Sequence, residues 1–375
     1  MLHADVLILG AGPAGATAAL NLAGECRVLL VDRHAEPLPR IGESLPPAAR
    51  RLLTDMGLWE EFLAQGHAPC FGNRSLWNGL AAEQDFLRDP DGHGWHLDRA
   101  RFESWLRDKA RERGAALRAP ATLGSVDACA DGWRLVLETP HGPLQAQARI
   151  LIDGGGRAST LAKKLGARRN RQDRLVCGWL YGEERGAENH DGLSHIEASA
   201  QGWWYSAALP GQRRVLALHT DADLPGARLL RRGGWLDAAA RAMPGLGPVL
   251  RNAGFRAAGE VRIAAAHSSQ LQPGCGPGWL AVGDAALSFD PLSAQGLFNA
   301  LYTGLAAAET CSRALRGAPQ AMRDYRQQLV SIADAYRQHL DFWYAQETRW
   351  ADAPFWQRRQ RRSAHALLAA SSLSG

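Results

Sequence analysis

Ala4-Asp5-Val6-Leu7-Ile8-Leu9, followed at once by Gly10-Ala11-Gly12-Pro13-Ala14-Gly15, is the stretch that decides how the chain is read. A short apolar run cut off by glycine reads as a strand buried inside a parallel sheet. Ala16 to Leu22 reads as a helix of small residues, Arg27-Val28-Leu29-Leu30-Val31 as a second buried strand, and Asp32 ends it. Together they form a βαβ unit. Gly10 allows a tight turn, Gly12 lets backbone approach a pyrophosphate, and Gly15 lets helix and strand pack closely. The helix N-terminus offers free N–H groups and partial positive charge to phosphates. Asp32 lies 22 residues after Gly10, near the spacing of about 20 at which a carboxylate grips a ribose hydroxyl. Gly10, Gly12, Pro13, Ala14, Gly15, Asp32 and Arg33 are therefore predicted to bind a dinucleotide.

A distant segment says which one. Trp279 to Val282 reads as another buried strand, ending in Gly283-Asp284; Asp290-Pro291-Leu292-Ser293-Ala294-Gln295-Gly296-Leu297 follows, then an apolar helix to Leu315. An NAD site needs no second element of this kind. FAD does, because its ribityl chain and ring extend beyond the first βαβ unit. Asp284 can bond ribityl hydroxyls, and the helix starting near Leu297 can aim its N-terminus at the flavin pyrimidine edge, stabilising reduced flavin.

Between these segments the pattern predicts a helix over 45–64, loops with short strands over 65–96, and an amphipathic helix over 98–114. A strand pair, Trp133–Leu137 and Leu144–Ile152, surrounds Pro140-His141-Gly142-Pro143. Residues 175–265 alternate strand-like runs with turns, plus a helix near 234–252. Residues 319–350 read as helix, and the serine-rich end after Ala370 as frayed.

The 375 residues are 46% hydrophobic and 22% charged, which excludes a disordered chain. No apolar run reaches the roughly 18 residues of a membrane span, and no basic segment precedes the short first one. A cytoplasmic protein without membrane contact is expected. Net charge is +5. The one dense basic cluster, Arg358, Arg359, Arg361 and Arg362, reads as a solvated helix end, so no nucleic-acid partner is expected. Six scattered cysteines form no CxxC pair, which argues against a zinc or dithiol site.

Gly10 to Gly15, Asp32, Gly283-Asp284 and the Pro291–Gly296 loop resemble the large FAD-dependent hydroxylase superfamily. Arg40-Ile41-Gly42-Glu43-Ser44-Leu45-Pro46-Pro47 resembles the Gly-Glu-Ser/Ala loop of its tryptophan-halogenase-like branch. Asp153-Gly154-Gly155-Gly156-Arg157 resembles that branch's Asp-x-x-Gly-Arg, and Trp350 to Arg359 also looks like it. The resemblance spans nearly the whole chain. It implies an α/β fold: a Rossmann-like FAD domain (residues 1–65, 98–170 and 270–315), an inserted antiparallel β-sheet substrate domain (66–97 and 171–269) and a helical C-terminus (316–375). Aromatic hydroxylases have serine where Arg157 stands, and no second glycine fingerprint exists. The electron source is left open among NADH, NADPH and a separate flavin reductase.

A flavin halogenase needs a lysine beside its substrate. The three lysines here, Lys109, Lys163 and Lys164, all fall outside residues 65–97, where the resemblance would place it. The halogenase Trp-x-Trp-x-Ile-Pro signature is replaced by Gly202-Trp203-Trp204-Tyr205-Ser206-Ala207-Ala208-Leu209-Pro210. The Gly72-Asn73-Arg74-Ser75, Trp95–Arg99 and Asp173–Val176 segments are similar to the flavoprotein maturases of tryptophylquinone enzymes. That similarity implies hydroxylation of an aromatic substrate, a tryptophan side chain in a partner protein, through a flavin C4a-hydroperoxide. The alternative is a small-molecule aromatic hydroxylase; a halogenase, a flavin reductase or dehydrogenase, and a non-catalytic flavin-binding module rank lower.

Further candidates follow. Glu43 and Ser44 would contact flavin or line the pocket, with a helix cap as the alternative for Ser44. Arg40 would hold a phosphate. Arg99 would meet the adenosine or phosphate end, or else pair with Glu103 at i,i+4. Asp153 and Arg157 would close the flavin fold, and Gly283, Asp284, Pro291, Gln295, Gly296 and Leu297 would line it. Glu43 and His267 are candidate acid–base groups; Asn73, Arg74, Trp204 and Tyr205 are candidate substrate contacts. No metal site is expected. Trp343, Tyr344, Trp350 and Trp356 are expected to pack rather than to bind a partner.

Overall fold

The computed structural model describes residues 1–186 and 191–360. The predicted fraying beyond Ala370 lies outside these. The chain opens with β1 (Leu2–Leu9), α1 (Pro13–Leu22) and β2 (Val28–Val31). Then come β3 (Ser44–Leu45), α2 (Ala49–Asp55), α3 (Trp59–Leu63), β4 (Ala68–Cys70), β5 (Gly72–Trp77), β6 (Leu80–Asp85) and β7 (Gly94–His96). Next are α4 (Arg99–Glu112), β8 (Ala116–Arg118), β9 (Thr122–Cys129), β10 (Gly132–Thr139), β11 (Gly142–Asp153), α5 (Thr160–Lys164) and β12 (Arg168–Arg171). A long meander contributes β13 (Leu175–Glu183), β14 (Leu193–Ser199), β15 (Gly202–Leu209) and β16 (Arg213–Asp221). It continues through α6 (Pro225–Leu229), α7 (Trp235–Arg241) and α8 (Leu246–Asn252) to β17 (Arg256–Ala265). The chain closes with β18 (Ser269–Gln272), β19 (Cys275–Gly276), β20 (Trp279–Ala281), β21 (Leu287–Ser288), α9 (Gly296–Leu315) and α10 (Ala321–Ala345).

The first sheet runs β19-β20-β11-β1-β2-β8, with β10 and β9 extending from β11. Its central pairs are parallel: Leu9 lies beside Val31 and Asp153, and Asp153 beside Ala281. Four strands therefore end at one edge and deliver Gly10, Asp32, Gly154 and Gly283 together. Ligands bind at that edge in open α/β sheets. The second sheet runs β17-β13-β16-β15-β14-β5-β6. It departs from the expected antiparallel sheet at one pair, since β14 and β5 are parallel. β5 reaches this sheet from far upstream in the chain, not through a hairpin, so no tight turn forces it antiparallel. The 65–96 segment divides: β5 and β6 extend the second sheet, whereas β4 and β7 join β3 in a small sheet of their own.

Each face of the second sheet has its own cover. Leu180, Trp204, Leu216 and Leu218 pack under the α6–α8 segment through Leu230, Leu236 and Leu250. Cys177, Trp179, Trp203 and Ala217 pack on Leu340, Tyr344, Phe355 and Trp356. The C-terminal aromatics are thus largely packing, as expected, although Trp343 is 41% exposed. Three expectations are corrected. The 45–64 helix is two helices, parted at Gly57, whose φ of +67° ends the first. The 234–252 helix is also two, parted where Pro244-Gly245 interrupts it. Of the basic cluster, Arg359 is not solvated. Arg359 is buried against Asp221, Arg358 pairs with Asp221 and Asp223, and Arg361 and Arg362 lie outside the described residues. Among the described residues no helix is long and apolar enough to cross a membrane.

α1 and α9 run parallel and close, because Gly304 meets Ala14 and Thr17 while Ser312 bonds Glu25 beyond the other end of α1. A Cβ on Gly304 would stand 2.5 Å from the Ala14 carbonyl oxygen. Alanine is the better helix former by about 1 kcal/mol, but overpacking against backbone costs about 1–3 kcal/mol. Gly304→Ala is therefore expected to lower the thermal unfolding midpoint; an unchanged or higher midpoint would show that the two helices pack less tightly than this.

Candidate active site

The nucleotide fingerprint is assembled by contacts that admit only glycine. A Cβ on Gly15 would lie 1.9 Å from the Gly10 carbonyl oxygen, and one on Gly10, at φ +104°, 2.3 Å from that of Gly154. Gly12 differs: a Cβ there would meet nothing within 4 Å. It faces open ground at the start of α1, which has no side-chain cap and has proline in its first turn. Asp32 stands at the tip of β2, its Oδ2 accepting the Ala11 N–H at 2.7 Å and its Oδ1 that of His34 at 2.8 Å. Arg107, absent from the sequence-based candidates, locks this corner. It is 4% exposed, donates to the Ala11 carbonyl at 2.9 Å and to His34 at 3.1 Å, and lies 3.4 Å from Asp32. The available signal was a charged residue on the apolar face of α4, beside Leu106. Arg33 and Arg40 are exposed.

A second group supports the other end. Gly283 N–H donates to Thr303 Oγ1 at 2.8 Å, tying the strand end to α9. Arg157 lies 3.4 Å from Asp284 and bonds the Phe289 and His267 carbonyls. Arg169, also missed by sequence, bonds the Asp284 and Ala285 carbonyls together with Ser269 and Ser288. Asp153 is fully buried and staples the following loop through the Gly155 and Ala162 N–H groups. α9 begins at exposed Gln295 and Gly296, without a side-chain cap, and a Cβ on Gly296 would meet nothing within 4 Å. Its start lies eight residues before Gly304, about 12 Å along the axis. Two uncapped N-termini thus open on the same side at different depths, with Pro291 exposed and Leu297 buried beside the second. These residues fit FAD: the start of α1 can hold a pyrophosphate, Asp32 a ribose, and the start of α9 the pyrimidine edge of the ring.

Glu43 is a further buried carboxyl of the site, 1% exposed. It accepts the Tyr181 hydroxyl at 2.7 Å and the Gly42 N–H at 2.9 Å. Burial pushes the Glu43 carboxyl above the ordinary range, opposed by those bonds and by the Arg99 charge. Arg99 braces this loop through the Gly42 carbonyl and also makes the i,i+4 pair with Glu103. Ser44 caps no helix; it lies in β3, opposite His96. His96 Nε2 in turn meets Ser194 Oγ at 2.9 Å.

The substrate candidates separate. Tyr205 lies on the face of the second sheet that also carries Trp179 and Tyr181, in a cluster with Ile41. Trp204 points to the opposite face, 6.3 Å from Trp235. The period of two places adjacent strand residues on opposite faces. Arg74 is exposed and paired with Glu83 and Asp191, and Asn73 bonds Gln84. Neither is gathered beside Glu43. His267 is buried, and burial followed by the Arg157 charge holds its imidazole below the usual range. What the fold uses of it is its carbonyl. Among the described residues no cluster suits a metal.

The FAD binding domain model matches residues 3–214, and the chain belongs to that family. It is a flavin-dependent oxidoreductase. LodB of Marinomonas mediterranea, named as an FAD-dependent oxidoreductase, is 29% identical over 371 residues, covering 96% of this chain and 98% of LodB. In structure the chain is similar to CmlS, a flavin-dependent halogenase, with TM-score 0.84 and 24% identity over 96% of this chain and 68% of CmlS. It is also similar to QhpG, a peptidyl tryptophan dihydroxylase, with TM-score 0.75 and 24% identity over 96% of this chain and 79% of QhpG.

Gly12→Ala separates binding from stability. With open space at that Cβ, the apoprotein is expected to lose less than about 1 kcal/mol, while FAD affinity falls at least tenfold; equal FAD affinity would place the pyrophosphate elsewhere. A pH dependence follows from Asp290, 1% exposed just before α9, whose carboxyl burial pushes up to about 6 from 3.8. The fold favours its protonated form, so stability present below about pH 4 is lost as pH rises to about 6, by about 3 kcal/mol. Asp290→Asn is expected to flatten that part of the stability profile in chemical denaturation.

Proposed function

We propose that this chain hydroxylates an electron-rich aromatic ring, and that the ring is a tryptophan side chain carried by a partner protein. The observation that carries hydroxylation over halogenation is where the lysines lie. Lys109 pairs with Glu61 and Glu112, Lys164 bonds the Gly124 carbonyl, and Lys163 is exposed on α5 beside it. None stands by Glu43. Arginine, permanently charged, cannot replace a lysine as proton relay. The similarity to QhpG, a peptidyl tryptophan dihydroxylase essential for tryptophylquinone cofactor biogenesis, supports the protein-borne substrate.

Bound FAD, reduced by NADH, NADPH or a separate reductase, would supply electrophilic oxygen from O₂. The chain's own residues do the rest. Partly buried Tyr181 and Tyr205, with Ile41, pack on Ala207 and Val215 and offer an apolar wall against which a flat ring can lie and from which water is displaced. Glu43 Oε1, joined to the Tyr181 hydroxyl, is the atom able to receive the ring proton lost on hydroxylation. In this reading residues 1–65, 98–170 and 270–315 hold FAD, and 66–97 with 171–269 shape the substrate side.

Purified protein, reduced flavin and oxygen are to be incubated with a tryptophan-bearing quinoprotein precursor and with free indoles, with bromide present. Oxygen added to the tryptophan of the precursor is expected by mass spectrometry; bromination would overturn the hydroxylase reading, and turnover of free indoles alone would replace the protein substrate with a small molecule. Glu43→Gln is expected to lower the rate on the order of a hundredfold without loss of bound FAD. An unchanged rate would remove Glu43 from the chemistry.

A further inference from the structure

The turn that leads into α9 is held from behind by the C-terminal helix. Asp290 is its pin. Asp290 Oδ1 accepts the Leu292 N–H at 3.0 Å, and its carbonyl accepts the Ser293 N–H at 3.1 Å and the Ser293 hydroxyl at 2.9 Å. Ser293 Oγ accepts the Gln295 N–H at 3.3 Å, one residue before α9 begins. Between them Ala294 takes a left-handed φ of +52°. A non-glycine residue keeps that conformation only where its surroundings over-determine it.

The constraint comes from α10. The Tyr344 hydroxyl donates to Asp290 Oδ2 at 2.7 Å and accepts the Trp203 indole N–H at 3.1 Å. The Tyr336 hydroxyl accepts the Asp290 N–H at 2.7 Å and shares a 2.7 Å hydrogen bond with Ser268 Oγ. The Tyr336 ring stacks on Phe289 at 4.1 Å and 10°. Arg359 lies over the Tyr344 ring, 5.0 Å from its centre, and bonds Asp221. A small cavity lined by Asp173, Asp290, Leu340, Asp341, Tyr344 and Arg359 sits behind the turn. Two polar groups of Asp290, its N–H and its Oδ2, are therefore taken up by two phenols of one helix.

We propose that Tyr344 and Tyr336 are positioning residues for FAD: through Asp290 they set where the uncapped start of α9 points, and so set how much more tightly the protein holds reduced than oxidised flavin. The dipole effect of a helix end falls off within one turn, so a small displacement of Gly296 changes it. The inference needs FAD at the site, and is independent of which substrate is hydroxylated.

The test uses the full chain, stripped of flavin and reconstituted. FAD affinity is read by fluorescence titration and the two-electron potential by equilibration with a reference dye, for Tyr344→Phe, Tyr336→Phe and Tyr325→Phe. Tyr325 also lies on α10, but its hydroxyl bonds the Ala281 carbonyl at 2.7 Å rather than Asp290. Each of the first two variants is expected to lower the ratio of reduced to oxidised FAD affinity about tenfold, a fall of about 30 mV. Tyr325→Phe is expected to lower the melting temperature but keep the ratio within twofold. An unchanged ratio in the first two, or the same shift in all three, would overturn the proposal. Should Tyr344→Phe fail to fold, Tyr336→Phe decides. Failure of the unaltered chain to bind FAD would count against the flavin site itself.

Discussion

The close parallel contact of α1 and α9 is the constraint on which the site depends. It is possible because Gly304 brings one helix against the backbone of the other, and because Gly283 sits against Ala14 at the same junction. Two parallel helices put two partial positive charges on one side, and neither end is capped by its own side chains. That arrangement is electrostatically unfavourable alone and favourable around an anionic ligand. The offset of about two turns between the helix starts suits a ligand that is long and negatively charged at one end. The strand ends then add Asp32, paired with Arg107, and the turn after Gly283, whose Asp284 and Ala285 carbonyls are held by Arg169.

A second dependence runs through the far end of the chain. The C-terminal aromatics cover one face of the second sheet and at the same time grip Asp290. The same residues therefore hold the second sheet and the turn before α9 in fixed relation. Glu43 performs a similar coupling from the other direction. It belongs to the loop after β2, yet its partner is Tyr181 in the second sheet, so the buried carboxyl lies where the two sheets meet.

Much of this was legible in one dimension. Gly10, Gly12 and Gly15 followed by an acid at the second strand end are local signals, and so are the apolar runs at 27–31 and 279–282. Helix boundaries were read less well where a single Gly57 or the Pro244-Gly245 step interrupts an otherwise acceptable pattern. The second sheet left the fewest local signals. Trp204 and Tyr205 are neighbours in sequence and opposite in space, and composition alone does not say which face of a sheet buried on both sides meets the cofactor domain. Arg74, conspicuous in sequence, is paired at the surface, and Tyr181, inconspicuous in sequence, reaches Glu43.

The sequence by itself determined the βαβ fingerprint, the strand and Gly283-Asp284 turn that precede the last apolar helix, and the lack of any lysine in residues 65–97. These depend on residue type and short spacing, and turns, strand ends and helix starts are built from neighbours. The tertiary structure decided that Tyr181 meets Glu43, that Arg107 and Arg169 brace the nucleotide loops, and that Tyr336 and Tyr344 hold Asp290. Each is a contact between segments dozens to more than a hundred residues apart, and such contacts are set by sheet register and helix packing, which leave no periodic mark on the chain.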